Sequence, residues 1–549
     1  MGRFHRFLLG GVCAAACAGT ALGARYDVGD LGRINANADI DNWVLHGRTY
    51  DNQRYSPLTQ INKQNVGRLR LFANIHTGIE NSTENTPIVV DGTMFVSTAN
   101  SHVRAYNAIT GDKLWAYDPV LDYAEACCGP QSRGVAVAYG KVFVAQFDGV
   151  VAALDAVTGK VVWKTDRNKT HPEPRHNYTY TLAPQVYNGL VIVGTAGAEY
   201  ETRGMVEAYD AQTGAKVWEF RTTAAPGEPG GDTWGGTDTW KTGGGSVWNT
   251  PAIDPQRGLV IFATGNPNPD YQGQSRPGDN AYTDSIVAIH ARDGKLAWWY
   301  QEVPHDLWDY DASSPVMLFD ARDENGRTVP AAGQAGKVGN VFIVNRATGK
   351  LLRKSEPFVY QSPNMFTPPT REGVTISPGV NGGSLWQPPA YSPRTQNFYV
   401  LAANIPMTFT TIEFKDSPPG GPWVGRHTGG VMKRGEGATS GTLTAINVNT
   451  GKVSWQHKTE QPIYGGVLAT ASDLVFAGEQ NGDFEAFDAQ TGKKLWSHRF
   501  EMGVCTPSIT YRIRGVQYIA VGAAGCRGGH LPNGQPGYGD TIAIFALAK

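Results

Sequence analysis

Residues 208–218 read Ala-Tyr-Asp-Ala-Gln-Thr-Gly-Ala-Lys-Val-Trp, and this phrase decides the fold because the chain repeats it. Near copies end at Trp115 (AYNAITGDKLW), Trp163 (ALDAVTGKVVW), Trp298 (AIHARDGKLAW), Trp455 (AINVNTGKVSW) and Trp496 (AFDAQTGKKLW). A degenerate copy, VNRATGKLL, surrounds Gly349. In each, alternating apolar residues enter a tight turn, the glycine supplies a positive φ, and a second strand leaves with the tryptophan. Each copy thus predicts a β-hairpin whose tryptophan, four residues past the glycine, packs between neighbouring sheets. The turn glycines (Gly111, Gly159, Gly214, Gly294, Gly349, Gly451 and Gly492) lie 41 to 102 residues apart. The short intervals suit one four-stranded blade, and the long ones carry loops or a blade with an eroded signature. Such blades close radially into an all-β propeller, which leaves few sheet edges exposed.

Composition agrees. Among 549 residues, 67 Gly, 33 Pro, 14 Trp and 23 Tyr suit many short strands joined by turns, not helical bundles. A formal net charge of -1 provides no basic field for nucleic acid or anionic lipid, so a small neutral substrate is the natural partner. Residues 1–23 read as a secretory signal. Arg3 and Arg6 give the positive start, Phe7 to Ala18 the apolar stretch, and Ala21-Leu22-Gly23 the cleavage site. That apolar stretch is too short to span a bilayer. Residues 24–549 are then expected as one propeller domain in the periplasm. Export leaves Cys127, Cys128, Cys505 and Cys526 in an oxidising compartment. Whether Cys505 and Cys526 bond is open at this stage.

From about Trp43 to the C-terminus the chain resembles the quinoprotein dehydrogenases that depend on pyrroloquinoline quinone (PQQ), the alcohol and methanol dehydrogenase family. The repeat and the opening RYSPLTQINKQNVGRL (Arg54 to Leu69) carry the likeness. The resemblance implies a single eight-bladed β-propeller with PQQ on its axis, so one blade must lack the phrase. It also implies roles for individual residues. The adjacent Cys127 and Cys128, in AEACCGPQSRG, match the vicinal disulfide that covers one face of PQQ, a strained pairing because neighbouring Cα atoms lie only about 3.8 Å apart. Arg133 matches the ligand of a PQQ carboxylate, which a guanidinium fork suits. Glu199 (VIVGTAGAEYETRG), Asn266 (FATGNPNPD) and Asp309 (VPHDLWDYDASSP) match the family's metal ligands, an oxygen set fitting a hard cation such as Ca²⁺. Asp309 also matches the catalytic base, and Arg346 the arginine expected beside it and the quinone C5 oxygen.

Asp311 shares a direction with Asp309 if the segment is extended. A second carboxylate there suggests a lanthanide ion, although calcium-using branches also carry it. Calcium stays slightly ahead. Trp234 is matched to the aromatic that stacks on PQQ, with Trp240 as its rival. Glu84, Thr181, Thr195, Gly197 and Ala198 are expected to bond or pack against PQQ, and Asn404 to bond the quinone edge. Tyr464 replaces a tryptophan of methanol dehydrogenases, and GGSLWQPPAYSP (Gly382 to Pro393) looks closer to the broader alcohol and polyol branches.

No dinucleotide fingerprint or P-loop appears, so nucleotide cofactors find no support. No Cys-x-x-Cys-His occurs, so electrons are expected to pass to an external acceptor such as a cytochrome c. The expected reaction oxidises a primary or secondary alcohol by hydride transfer to metal-bound PQQ. A sugar or cyclic-polyol dehydrogenase is the alternative within enzymes, and a non-catalytic propeller scaffold is the alternative outside them. The assembly is open between a monomer and a homodimer.

Overall fold

The computed structural model describes residues 39–81, 83–122, 128–170, 178–412, 429–526 and 537–548. The signal segment and Cys127 lie outside these. Eight sheets of four strands, one carrying a short fifth strand, form the body of the described residues. We number them as blades in chain order. Blades 1 to 5 span residues 88–117, 136–166, 185–221, 252–301 and 317–354. Blade 6 spans residues 390–459 and blade 7 residues 468–499. Blade 8 joins the two ends of the chain: Ile509–Ile513, Val516–Ala523 and Thr541–Leu547 are completed by Leu69–His76. Leu69 pairs with Leu547 and His76 with Thr541, so the ring is closed by backbone hydrogen bonds.

This closure explains why only seven phrases occur. The phrase marks the turn from third to fourth strand. In blade 8 the third strand ends the chain and the fourth begins it, so no turn exists there to carry the signature. The other turns behave as the sequence predicts. Asp155 and Asp210 accept hydrogen bonds from the backbone amides of the next residues, and the glycines hold φ between 69° and 78°. Pairing slips by one residue beside each turn, the bulge that such a turn creates.

The turns also fasten each blade to its predecessor. The indole N–H of Trp115 donates to the carbonyl of Ala156 at 3.1 Å, Trp163 to Ala211 at 3.3 Å, Trp218 to Ala291 at 2.9 Å, and Trp298 to Arg346 at 3.1 Å. Each ring lies flat on the glycine of the next turn. A Cβ on Gly159, Gly214, Gly294 or Gly492 would sit 2.5–2.8 Å from the indole behind it. Where the preceding blade lacks the tryptophan, another side chain fills the place: Ile75 behind Gly111 and Arg353 behind Gly451.

Residues 43–56 run along the inside of the ring. The chain pairs Trp43 with Val89 of blade 1, and its carbonyls from Tyr50 to Arg54 take amides from Ile253, Leu318, Tyr391 and Ala469 of blades 4 to 7. Arg54, fully buried, donates to the carbonyls of His46, Val467 and Ser508. A separate three-stranded sheet (Val374–Ile376, Met407–Thr411, Gly430–Arg434) is built from insertions around blade 6.

Replacing Gly214 and Gly189 by alanine separates the two demands on glycine. Both have positive φ, but a Cβ at Gly189 meets nothing within 4 Å. Gly189→Ala should cost about 1–2 kcal/mol from backbone strain, and Gly214→Ala a further ~1–3 kcal/mol from overpacking against Trp163. Equal denaturation midpoints for the two variants would contradict the interlock.

Candidate active site

In every blade the first strand starts, and the second ends, at the same end of the propeller. Loops from these positions converge on a cavity of about 200 Å³. From the loops that enter first strands come Glu84 (blade 1), Cys128 and Arg133 (blade 2), Thr181 (blade 3), Trp248 (blade 4), Asp309 and Asp311 (blade 5) and Trp386 (blade 6). From the loops that leave second strands come Gly197, Glu199, Asp270, Tyr271 and Lys337. Val380, Leu385 and Met432 make an apolar wall, with Met432 supplied by the inserted sheet.

One side of the cavity is organised by Arg133. Its guanidinium is 2.6 Å from the Glu84 carboxylate and donates to Thr181 Oγ1 at 2.7 Å and the Trp248 carbonyl at 3.0 Å. It lies 4.8 Å from the Trp248 ring centre, within cation–π range. The entry loops are tied in sequence: Thr86 N donates to the Arg133 carbonyl and Arg133 N to the Thr181 carbonyl, both at 3.0 Å.

The opposite side holds Glu199, Asp270, Asp309 and Asp311. Lys337 Nζ reaches both aspartates of blade 5, donating to Asp309 Oδ1 and lying 2.9 Å from Asp311 Oδ2. Asp311 Oδ1 accepts the Asn266 backbone N–H at 2.6 Å. Asp309 holds φ at 60°, an uncommon conformation for a residue with a side chain, found where the surroundings fix it. Burial, and then the neighbouring Asp311 and Glu199 charges, raise the Asp309 pKa against the opposing effect of Lys337. Burial raises that of Asp270, with Asp309, Glu199 and Asp311 adding to it. Burial alone would lower the Lys337 pKa, but the two aspartates reverse this and raise it. Asp270 Oδ1 is buried without a hydrogen-bond partner, and so is the indole nitrogen of Trp386. Crowded carboxylates with an unpaired buried oxygen fit a hard cation, because the donors gathered on this side are carboxylate oxygens. The cationic fork of Arg133 beside a flat indole fits a planar anionic cofactor.

Of the residues expected from sequence, Glu84, Cys128, Arg133, Thr181, Gly197, Glu199, Asp309 and Asp311 line the cavity, and Cys128 is disulfide-bonded. Asn266 lies buried beside it, its amide donating to the Pro267 carbonyl at 3.1 Å. Ala198 is buried behind Gly197, and Thr195 is buried with its hydroxyl accepting the Met205 N–H.

Three expectations are corrected. Arg346 lies on the third-to-fourth turn of blade 5, at the end of the propeller opposite the cavity, 3.2 Å from Asp254. The place beside Asp309 belongs to Lys337. Neither Trp234 nor Trp240 lines the cavity: Trp234 is fully buried and donates to the Ala281 carbonyl, while Trp240 stacks on Arg203. The indoles that line the cavity are Trp248, beside Arg133, and Trp386. Asn404 stands at the correct end of blade 6, but its amide is taken by the Tyr360 N–H and the Ser440 hydroxyl. Sequence contained a signal for Trp248. Glu84, Thr181, Trp248 and Trp386 each stand three residues before a proline that precedes a first strand. Lys337 is marked only by topology, following a second strand as Glu199 does. Tyr464 lies behind the wall, stacked on Trp386 at 5.2 Å, next to the Cys505–Cys526 disulfide, whose Cα atoms are 5.3 Å apart.

A propeller with a cofactor-sized cavity at the strand ends, lined by crowded carboxylates and a buried arginine, defines a class of cofactor-dependent propeller enzymes. The family model described as "Glucose/ethanol/alcohol dehydrogenase, beta-propeller domain", with PQQ as its label, matches residues 43–357 and 353–519. The chain belongs to this family, the PQQ-dependent quinoprotein alcohol dehydrogenases. It is 34% identical to the dehydrogenase subunit of a quinone alcohol dehydrogenase of Gluconacetobacter polyoxogenes, covering 93% of this chain and 76% of the relative. The solved structure of the quinohemoprotein alcohol dehydrogenase ADHIIG from Pseudomonas putida is similar with a TM-score of 0.86 and 34% identity, over 96% of this chain and 83% of that one. A europium-containing methanol dehydrogenase is similar with a TM-score of 0.84 and 30% identity, over 94% and 99% of the two chains.

Titration of the apoprotein with PQQ distinguishes the two arginines. Arg133→Met should weaken binding about tenfold or more, the scale of one charge-assisted hydrogen bond, and Arg346→Met should leave it unchanged. The reverse ranking would contradict the placement.

Proposed function

We propose that the chain oxidises an alcohol with an apolar substituent in the cavity between Arg133 and Lys337, with PQQ and a hard cation bound there. The observation that carries this reading is the convergence of Glu199, Asp270, Asp309 and Asp311 on one cavity, with Lys337 bridging two of them. When bound, PQQ supplies the two-electron acceptor for hydride leaving the carbinol carbon. Arg133, with Glu84 and Thr181 fixing its fork, would hold a carboxylate of the cofactor. Trp248 would pack on its ring, and the Cys127–Cys128 disulfide expected from sequence would cover the ring as well. Gly197 would pack against the cofactor, with Thr195 and Ala198 supporting it from behind.

Glu199, Asn266, Asp309 and Asp311 would hold the cation, and Asp270 adds an oxygen that sequence did not indicate. With Lys337 protonated, four ionised carboxylates leave three negative charges. A trivalent lanthanide cancels that balance and Ca²⁺ leaves one charge over. The likeness to a europium-containing enzyme supports the same choice.

Asp309 would be the base that takes the hydroxyl proton, and its side chain keeps 17% exposure toward the cavity. Lys337 takes the positioning role expected of Arg346: its ammonium fixes one Asp309 oxygen and opposes the burial that would keep the carboxyl protonated. Val380, Leu385, Trp386 and Met432 exclude water and favour a substrate with a hydrocarbon face over a sugar. We further propose that the protein works in the periplasm and passes electrons to an external cytochrome c. The Cys505–Cys526 disulfide supports an oxidising compartment.

Asp309→Asn keeps the side chain's size and removes its basicity. Alcohol turnover should fall by about 10²–10⁴-fold, the usual worth of a positioned base, while PQQ titration of the variant remains close to wild type. Retained turnover would overturn the assignment of the base.

A further inference from the structure

Outside the cavity, three potential metal ligands meet across the interface of blades 6 and 7. His457 belongs to the fourth strand of blade 6, Val453–Thr459, and faces the next blade with its ring 4.9 Å from that of Phe487. Glu479 follows the second strand of blade 7, Leu474–Gly478, and Glu485 lies in the third, Asp483–Asp488. One ligand atom from each of the three falls within 4.8 Å of the others. His457 Nε2 is 4.0 Å from Glu479 Oε1 and 4.0 Å from Glu485 Oε2.

Glu485 supplies the second, independent sign of a ligand. Its side chain is 2% exposed, and its Oε2 has no hydrogen-bond partner, although Oε1 pairs with Lys494 at 2.7 Å. A buried carboxylate oxygen without a donor is costly, and what faces it is the Glu479 carboxyl and, 4.0 Å away, the His457 imidazole.

We propose that His457, Glu479 and Glu485 bind a divalent transition-type cation such as zinc, which fastens blade 6 to blade 7. One imidazole with two carboxylates matches zinc better than calcium or magnesium, which prefer oxygen-only sets. Tetrahedral zinc with ligands at about 2.0–2.1 Å places neighbouring ligand atoms ~3.3 Å apart. His457, partly buried and 4.0 Å from both carboxylates, therefore has to move inward by ~0.7 Å. Lys494 holds Oε1 of the buried Glu485, so a cation on Oε2 leaves that ion pair in place. The His457 side chain is 28% exposed, which gives a cation a path in from solvent.

The test uses the holoprotein, with PQQ and its active-site ion in place, titrated with zinc chloride by calorimetry and by thermal unfolding. One zinc per chain beyond the active-site ion, with a rise in Tm, is expected. His457→Ala and Glu485→Gln should each weaken zinc at least tenfold and remove the Tm rise, with alcohol turnover unchanged. His457→Ala changes a partly exposed residue and keeps the test readable if Glu485→Gln unfolds. No additional zinc, equal binding by wild type and His457→Ala, or tighter binding of calcium than zinc would overturn the proposal.

Discussion

The indole of one blade resting on the turn glycine of the next is the contact on which the remaining architecture depends. It does two things at once. The ring fills the wedge between twisted sheets, and its N–H satisfies a carbonyl that the tight turn leaves bare. Each such contact contributes about 0.5–1.5 kcal/mol through its hydrogen bond alone, with the buried ring area adding to that. More important for function, the contact repeats with fixed geometry, so it sets the angle between blades. The angle sets how many blades close the ring and brings every first-strand entrance to the axis. Glu84, Arg133, Thr181, Trp248 and Trp386 come from blades far apart in sequence and meet only because of that closure.

The axis is then an electrostatic problem. The strands deliver carboxylates from three blades into a space shielded from water, and among the cavity's lining residues Lys337 answers them from that side. Such an arrangement would be unfavourable if its only purpose were folding, since like charges in a buried site raise one another's pKa. Glycine at 265 shows how closely the parts are fitted: a Cβ there would stand 2.9 Å from Asp311 Oδ1. Arg133 plays the complementary part across the cavity, where its pairing with Glu84 leaves room for a further anion. Charge is thus separated into an oxygen-rich side, whose chemistry suits a cation, and a guanidinium side, whose chemistry suits an anion.

Much of this was legible in the sequence, for definite reasons. The phrase ending at Trp218 encodes a turn, a bulge and a contact with the next blade in eleven residues, so local chemistry announced the repeat. Blade 8 stayed silent because its two halves come from opposite ends of the chain. Asp309 and Glu199 were readable through their surrounding phrases, whereas Lys337 sits in QAGKVGN, which has no chemical mark apart from following a strand. Arg346 misled for the same reason that the fold was clear: it belongs to the repeated turn, and all such turns lie away from the cavity. Trp234 and Trp240 drew attention through the likeness of their phrase to the family's, while Trp248 was marked by a quieter regularity, the proline three residues later.

If PQQ and a hard cation meet in this cavity to oxidise alcohols, dye-linked alcohol oxidation by the metal-stripped apoprotein tests it most directly. Turnover should appear only when PQQ and either Ca²⁺ or La³⁺ are both supplied, with La³⁺ the more effective ion. No turnover of primary, secondary or cyclic alcohols with both present, or turnover without PQQ, would contradict it.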